Sequence, residues 1–547
     1  MTRTGAQILV DQLVVQGVEH AFCVPGESYL AVLDALRDSP IRLVVARHEA
    51  GAANMADAAG KLTGRPGICL VTRAPGAAHA AVGVHTAYQD STPLLLLIGQ
   101  VPRRFRGREA FQELDYARMF GEMAKWVVEV DRAAVFPEVV ERAFRTATSG
   151  RPGPVVIALP EDVLNEEADV ADAAPYTADR PVPTFEEVEQ VRTLLSRAER
   201  PFVVVGGGGW SEQAADRLKA WAERSHLPVA ASFRRQDYLD NTSPSYAGVL
   251  TIGHDATLAA RLRDADVLLA LGTRLGDIPT RGYTTLEPPH TPQTFVHVHA
   301  DPGELGRVYE PDLGVVADSA AFIAAIEPLD GARWQDWTDS AHADFVASLR
   351  HRPSPGELDL GDVMEHLRER LPPDSVITNG AGNFTVWAHR FYAFRRYGTQ
   401  LAPCSGTMGY GVPAAVAAKL LHPERIVVCV SGDGDFLMSG HELAAARQEG
   451  AAIVVLLVNN GMYGTIRMHQ ERQFPGRVVG TDLVNPDFVA LARAYGAYAE
   501  PVARSEDFPA AFERALAAGR SALLELRVDP EAISPRATLT EIRDRRN

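Results

Sequence analysis

Short apolar runs recur along the chain, several of them closed by Gly, Pro or Asn. Residues 21–24, 43–45, 68–71, 94–98 and 155–159 are uniformly apolar. That pattern belongs to strands buried on both faces of a parallel sheet, whereas a half-exposed strand alternates. A second series follows at 202–205, 267–271 and 295–299, and a third at 426–430 and 453–458. Segments of helical spacing separate the runs, so the chain reads as α/β with three doubly wound parallel-sheet domains. The expected domains are 1–165, 185–330 and 356–528. Polar, proline-bearing stretches at 165–184 and 350–355 read as linkers, and polar residues 529–547 as a mobile C-terminal tail. Thr4-Gly5-Ala6-Gln7 has the form of a helix capping box, followed by Ile8, Leu9, Leu13 and Val14 on one face.

Composition narrows the class. A chain of 547 residues can bury several cores, and 46% apolar with 23% charged residues is ordinary for a globular protein. A net charge of −16 argues against nonspecific nucleic-acid binding and against a basic membrane footprint. Aliphatic runs such as 94–98 and 453–458 are too short to span a bilayer. Cys23, Cys69, Cys404 and Cys429 are scattered without metal-ligand spacing, and the N-terminus has no signal-peptide pattern. The expectation is a cytoplasmic protein with reduced thiols.

Candidate chemistry concentrates after two of the third-series runs. Gly432-Asp433-Gly434 follows one, and Asn459-Asn460 closes the next, with Asp433 and Asn460 27 residues apart. That separation fits a loop, a helix and a returning parallel strand, so both side chains would stand at the C-terminal ends of neighbouring strands. A carboxylate and an amide oxygen suit a Mg²⁺ that keeps further positions for a diphosphate. The flanking glycines would let a phosphate approach bare N–H groups.

These motifs resemble the cofactor signature of thiamine diphosphate-dependent enzymes, within the pyruvate decarboxylase/acetolactate synthase superfamily. The resemblance implies a pyrimidine-binding, a central and a diphosphate-binding domain, in that order. It implies Mg²⁺ bound by the side chains of Asp433 and Asn460 and the carbonyl of Met462. Gly434, Asp435 and Phe436 would lie along the diphosphate. Arg47-His48-Glu49-Ala50-Gly51 resembles the segment holding the catalytic glutamate, so Glu49 would exchange a proton with the aminopyrimidine ring. Gly406-Thr407-Met408-Gly409 resembles the loop whose bulky residue, here Met408, wedges beneath a bent cofactor. Gly382-Asn383-Phe384 resembles the other diphosphate-side loop. The resemblance further assigns Pro25, Gly76, Gly432, Tyr463, Gly464 and Thr465 to cofactor binding. Val24-Pro25-Gly26, Ala74-Pro75-Gly76-Ala77, Ala110-Phe111-Gln112-Glu113 and Asn485-Pro486-Asp487-Phe488 resemble acetolactate synthase in particular, with Phe111 and Gln112 facing the reacting end.

Departures from that pattern bear on the substrate. Met468-His469 stands where acetolactate synthases carry Gln-Trp. Glu27-Ser28 replaces Gly-Gly, and Glu27 falls where pyruvate decarboxylase-type enzymes have an acidic residue that handles protons. Thr72-Arg73-Ala74-Pro75-Gly76-Ala77-Ala78-His79 replaces a Ser-Gly-Pro-Gly-Ala-Thr-Asn segment. Arg73, His79, His85, Arg467 and His469 are therefore candidates for contacting a substrate carboxylate or relaying a proton. Catalytic roles are expected for Glu49, Gln112, Glu27 and His469. In the central domain, segments 247–254 and 274–278 are eroded versions of the flavin-binding segments, and Ser211 occupies the third glycine position of the loop after 202–205. This argues against tightly bound FAD. The expected activity is decarboxylation of a 2-oxo acid with carboligation to a second carbonyl. The alternatives are simple decarboxylation, C–C cleavage without decarboxylation, and an inactive cofactor-binding regulatory protein. The resemblance implies a homodimer as the minimum active unit and commonly a homotetramer.

Overall fold

The computed structural model describes residues 2–253 and 255–544. Three six-stranded sheets, parallel throughout, account for every apolar run named above. Counted in chain order within each sheet, the first (strands between His20–Cys23 and Pro154–Pro160) and the third (between Val376–Asn379 and Ala522–Arg527) share the strand order 2-1-3-4-6-5. The middle sheet, from Pro201–Val205 to Leu313–Val316, runs 3-2-1-4-5-6. Each order reverses direction beside its first strand, and loops leaving strand C-termini open a crevice at such a point. Reversal falls between His20–Cys23 and Gly67–Val71 in the first sheet, Pro201–Val205 and Val267–Leu271 in the second, and Val376–Asn379 and Val427–Gly432 in the third.

The chain forms two compact units. One comprises Met1–Asp179 with Val412–Pro423 and Ser439–Ala451; the other comprises Arg180–Gly411, Glu424–Met438 and Ala452–Asn547. The first unit buries a core of Ile8, Leu9, Leu13, Leu95, Phe136, Phe144 and Ile157 around its sheet. The expected capping box is present, with Thr4 accepting from Gln7 N and Gln7 Oε1 accepting from Thr4 N. The second unit has separate cores for its two sheets, one around Trp221 and Trp334, the other around Trp387 and Phe512.

The closing segment departs from expectation. Ile533 is fully buried and clusters with Met462, Ala537, Leu539 and Ile542, while Arg543 pairs with Glu471 at 2.7 Å. Polar composition concealed four apolar residues spaced to cover a neighbour; residues 545–547 lie outside the described residues. The 165–184 linker holds one short strand, Glu167–Ala168, paired with Arg3–Thr4. No helix among the described residues is long and apolar enough to cross a membrane.

Two helices of the first unit carry its candidate chemistry. Glu49–Thr63 and Ala74–Asp90 are rich in alanine and glycine, and a Cβ on Gly83 would come within 2.4 Å of Ala53 Cβ. Only small side chains permit that approach. Buried Lys61 binds Asp57 at 2.6 Å and Asp90 at 2.5 Å, tying the pair together. The start of Glu49–Thr63 is set by Glu442. Its Oε1 accepts the N–H groups of Arg47 and His48 at 3.1 Å each, and a Cβ on Gly51 would meet the same oxygen at 2.2 Å. Glu442 is completely buried, and burial outweighs these hydrogen bonds, raising its carboxyl to about 7.

A raised carboxyl means that the folded state binds the proton more tightly. Its stabilising contribution is complete below the ordinary value of 4.5 and is lost as pH rises to about 7. Glu442→Gln removes that titration while keeping an amide oxygen for both N–H groups. Denaturant midpoints across this window should fall more steeply with pH in wild type than in the variant, by up to about 1.4 kcal/mol per pH unit. Parallel profiles would refute the assignment.

Candidate active site

In the first unit, the loops at the switch point are residues 24–28 and 72–73. The Tyr29 hydroxyl donates to Val24 O at 2.5 Å, and the Ser28 and Thr72 hydroxyls share a 2.9 Å hydrogen bond. A Cβ on Gly26 would lie 2.5 Å from Thr72 Cβ, so only glycine allows this closure. Pro25 is exposed beside it. Behind the loops lies buried Arg73. Its Nη1 donates to Glu27 Oε1 at 3.2 Å and Gln112 Oε1 at 3.3 Å, and its Nη2 donates to Glu161. Gln112 takes a left-handed backbone, φ 64°, costly for a residue with a Cβ.

Glu49 is the first residue of its helix, after His48, whose Nδ1 accepts the Ala50 N–H at 3.1 Å. The Glu49 side chain is only 12% exposed, and its Oε2 lies 2.9 Å from His79 Nδ1. Gly76 is its neighbour, since a Cβ there would sit 3.4 Å from Glu49 Oε1. The His48 and His79 rings stack at 4.6 Å. The fold thus brings His79 to Glu49, as the sequence allowed, while His85 is exposed further along the helix. Arg73 is not a free carboxylate receptor as expected, because its guanidinium is already engaged by two carboxylates and an amide.

In the second unit, a cavity of about 250 Å³ opens at the switch point of the third sheet. Strand register pairs Gly432 with Val458, which brings the Asp433 and Asn460 ends side by side. Most of the C-terminal candidates line it: Asn383, Phe384, Gly406, Met408, Gly432, Asp433, Gly434, Asp435, Asn460, Met462, Tyr463, Gly464 and Thr465. A Cβ would come within 2.5 Å of Tyr463 at Gly434, and within 2.8 Å of Phe384 at Gly432. Asp433 Oδ1 accepts Gly434 N, and its Oδ2 accepts Gly461 N at 2.9 Å and the Asn485 amide at 2.8 Å. Asn460 Oδ1 accepts Met462 N at 3.2 Å. Burial pushes the Asp433 carboxyl above its ordinary value, and these hydrogen bonds offset it only in part. Asn485 Oδ1 is buried without a partner. A desolvated carboxylate held by neutral donors, next to an orphan amide oxygen and a turn of bare backbone, is a donor set that fits Mg²⁺ and a diphosphate.

Asp435, Phe436, Arg467 and His469 differ from these in their surroundings. Asp435 borders the cavity, but its carboxylate does not face a diphosphate. Oδ1 accepts Gly409 N at 2.8 Å and Ala381 N at 3.1 Å, and Oδ2 accepts the Ser431 hydroxyl at 2.5 Å. Three donors satisfy a buried anion that a phosphate would repel, so Asp435 ties the cavity walls together. Burial raises its carboxyl to about 6. Phe436 turns into the core, edge-on to Phe488. Arg467 is engaged by Thr481 Oγ1 and Asp482. His469, on the helix Gly464–Gln473, does not line the cavity; the desolvation it meets and Arg472 hold its imidazole below the ordinary value.

Several contributors escaped the sequence reading. Ala532 and Ile533 wall the cavity from the closing segment, and Ile533 O accepts the Asn383 amide at 2.9 Å. Their apolar spacing was the available signal. Glu442 and Glu161 act through contacts distant in sequence, and nothing local marks them. In the middle sheet, Gly207 abuts Gly272, whose carbonyl oxygen would lie 1.9 Å from a Cβ at Gly207. Tyr238 and Arg235 donate to the Gly207 carbonyl. His254, part of the eroded flavin segment, lies outside the described residues.

Comparisons with known proteins agree with this geometry. Residues 3–119 match the N-terminal TPP binding domain of thiamine pyrophosphate enzymes, 188–326 their central domain, and 380–526 their C-terminal TPP binding domain. The chain is 32% identical over 531 residues to the acetolactate synthase isozyme 2 large subunit of Escherichia coli, covering 96% of this chain and 95% of that one. It is 30% identical over 555 residues to a probable acetolactate synthase large subunit of Methanocaldococcus jannaschii, covering 97% and 93%. With all three domains matched in order and similarity running nearly end to end, the chain belongs to the thiamine pyrophosphate enzymes, in their acetolactate synthase-like group.

Proposed function

We propose that this protein is a thiamine diphosphate- and Mg²⁺-dependent carboligase that decarboxylates a 2-oxo acid and joins the remaining carbon unit to a second carbonyl. The observation that carries the reading is the glycine-walled cavity in which the Asp433 carboxylate is buried among neutral donors. Asp433, Asn460 and the Met462 carbonyl would hold Mg²⁺, and the backbone of residues 432–434 would receive the diphosphate. Met408 would fill the space beneath the cofactor. When bound, the cofactor supplies an electron sink that lets the substrate carboxylate depart as CO₂. Glu49 would hold and return a proton at its carboxylate, with His79 Nδ1 on Oε2 leaving Oε1 for the cofactor ring.

Membership of this family supports a homodimer as the smallest active form, with a homotetramer expected. Sedimentation run alongside assay tests this, and a fully active monomer would refute it. The eroded segments 247–254 and 274–278 support a central domain without tightly bound FAD, so the purified protein should show no flavin absorbance.

Purified holoenzyme incubated with a panel of 2-oxo acids and acceptor carbonyls should release CO₂ and form a C–C product. Silence across the panel would sink the proposal. Glu49→Gln should bind the cofactor yet lose at least about a hundredfold in turnover, the scale of a missing acid–base group. Asp433→Asn removes the one formal charge among the three metal ligands, and should raise the Mg²⁺ concentration for half-activation by about tenfold or more. A variant with wild-type Mg²⁺ dependence would exclude Asp433 as a ligand.

A further inference from the structure

Glu27 and Arg73 are the two residues by which the loops of the first switch point depart most from the family pattern, and they touch each other. Glu27 stands where relatives have glycine, and Arg73 falls within the altered Ser-Gly-Pro-Gly segment. Their side chains meet at 3.2 Å. The same guanidinium nitrogen reaches Gln112 Oε1 at 3.3 Å, and the other terminal nitrogen is held by Glu161. Arg73 is 10% exposed by side chain, whereas Glu27 is 59% exposed. The cation is therefore beneath and the carboxylate on top. Arg73 is outnumbered by Glu27 and Glu161, so the cluster carries a net negative charge.

The loop geometry fixes the cluster. Ser28 is bonded to Thr72, Gly26 packs on Thr72, and the Gln112 carbonyl accepts the Ala74 N–H at 3.3 Å. Gln112 holds its left-handed backbone within this frame. Glu27 and Gln112 cannot move independently while both are bonded to one planar guanidinium. Arg73, the first candidate for gripping a substrate carboxylate, has both terminal nitrogens engaged, and its one unpartnered nitrogen, Nε, is buried.

The geometry points to an acceptor subsite, built by Arg73 from Glu27 and Gln112, that takes an uncharged aldehyde rather than a second 2-oxo acid. The inference rests on the carboligase reading above. An incoming carboxylate would meet the Glu27 carboxylate, while an aldehyde oxygen needs only a hydrogen-bond donor, which the Gln112 amide nitrogen supplies. In the overall reaction, the bond from the donor's carbonyl carbon to its carboxylate breaks and CO₂ leaves. The released electron pair forms the new C–C bond to the aldehyde carbon. The aldehyde π pair moves to its oxygen, which takes one proton from solvent. The product is a 2-hydroxy ketone. Arg73 touches no reacting atom here and acts as a positioning residue for Glu27 and Gln112.

The test uses holoenzyme, an isotopically labelled donor acid chosen by its CO₂ release, and acetaldehyde and pyruvate as paired acceptors. Wild type should prefer acetaldehyde by kcat/KM. Glu27→Gln keeps the side-chain shape and an oxygen for Arg73 but removes the charge, and should move the acetaldehyde-to-pyruvate ratio roughly tenfold toward pyruvate. Arg73→Gln should keep releasing CO₂ while the product shifts from ligated ketone to free aldehyde, because Glu27 and Gln112 are no longer aimed. Melting temperatures check each fold; should Arg73→Gln be unstable, the half-exposed Glu27 variant decides alone. Preference of wild type for pyruvate, or an unchanged ratio in Glu27→Gln, overturns the inference and leaves the carboligase reading intact. Absence of CO₂ release from every donor overturns both.

Discussion

Buried carboxylates must find donors, and this fold meets that constraint by giving them the backbone amides that irregular loops leave unpaired. Asp435 takes N–H groups from residues 381 and 409, Asp433 from 434 and 461, and Glu442 from 47 and 48. Asp237 does the same away from the candidate site, accepting from Gly398, Thr399 and Gln400 through a single oxygen. Loops at strand C-termini must depart from regular hydrogen bonding to make room for a ligand, and each departure orphans amides. A buried anion collects several at once and fixes the spacing of segments distant in sequence. The cost is desolvation, visible in the upward push on all four carboxyls.

Asp433 and Asp435 both border the cavity, but only Asp433 is bonded to the amide whose oxygen is orphaned. The others close upon themselves. Asp435 and Asp433, two residues apart on one short helical turn, therefore serve opposite ends. Each accepts three hydrogen bonds, but those of Asp435 come from the segments that wall the cavity, whereas Asp433 lies beside the unpartnered Asn485 oxygen. The opening for a cation follows from that unpartnered oxygen beside a buried carboxylate, not from the identity of the motif.

The central strands were legible because burial on both faces demands uninterrupted apolar runs, as at 94–98 and 453–458. Edge strands such as Trp126–Glu129 and Tyr498–Val502 were not, since their residues are mixed and their pairing depends on a neighbour already in place. The cavity was legible residue by residue, because glycines, Asp433 and Asn460 sit next to the strands that present them. Its outer wall was not, because Ile533 belongs to a stretch whose average polarity hides its apolar spacing. The shared 2-1-3-4-6-5 order of the first and third sheets left no repeat in sequence. Strand order is set by the hand and placement of crossovers, which many sequences satisfy.

The same limit explains the substrate question. Sequence nominated Arg73 for a carboxylate because a cation near a reaction centre suggests an anion to bind. What a cation binds depends on which anions the fold has already put beside it, and here Glu27 and Glu161 come from other loops. The first unit presents a carboxylate over a buried arginine, the reverse of the order the residue types suggested. Without that arginine the exposed Glu27 carboxylate would be free to rotate. With it, the charge is tolerated, oriented and shared with Gln112. Selectivity in such a site is a matter of which charge is on top, and that is a property of packing that no single position encodes.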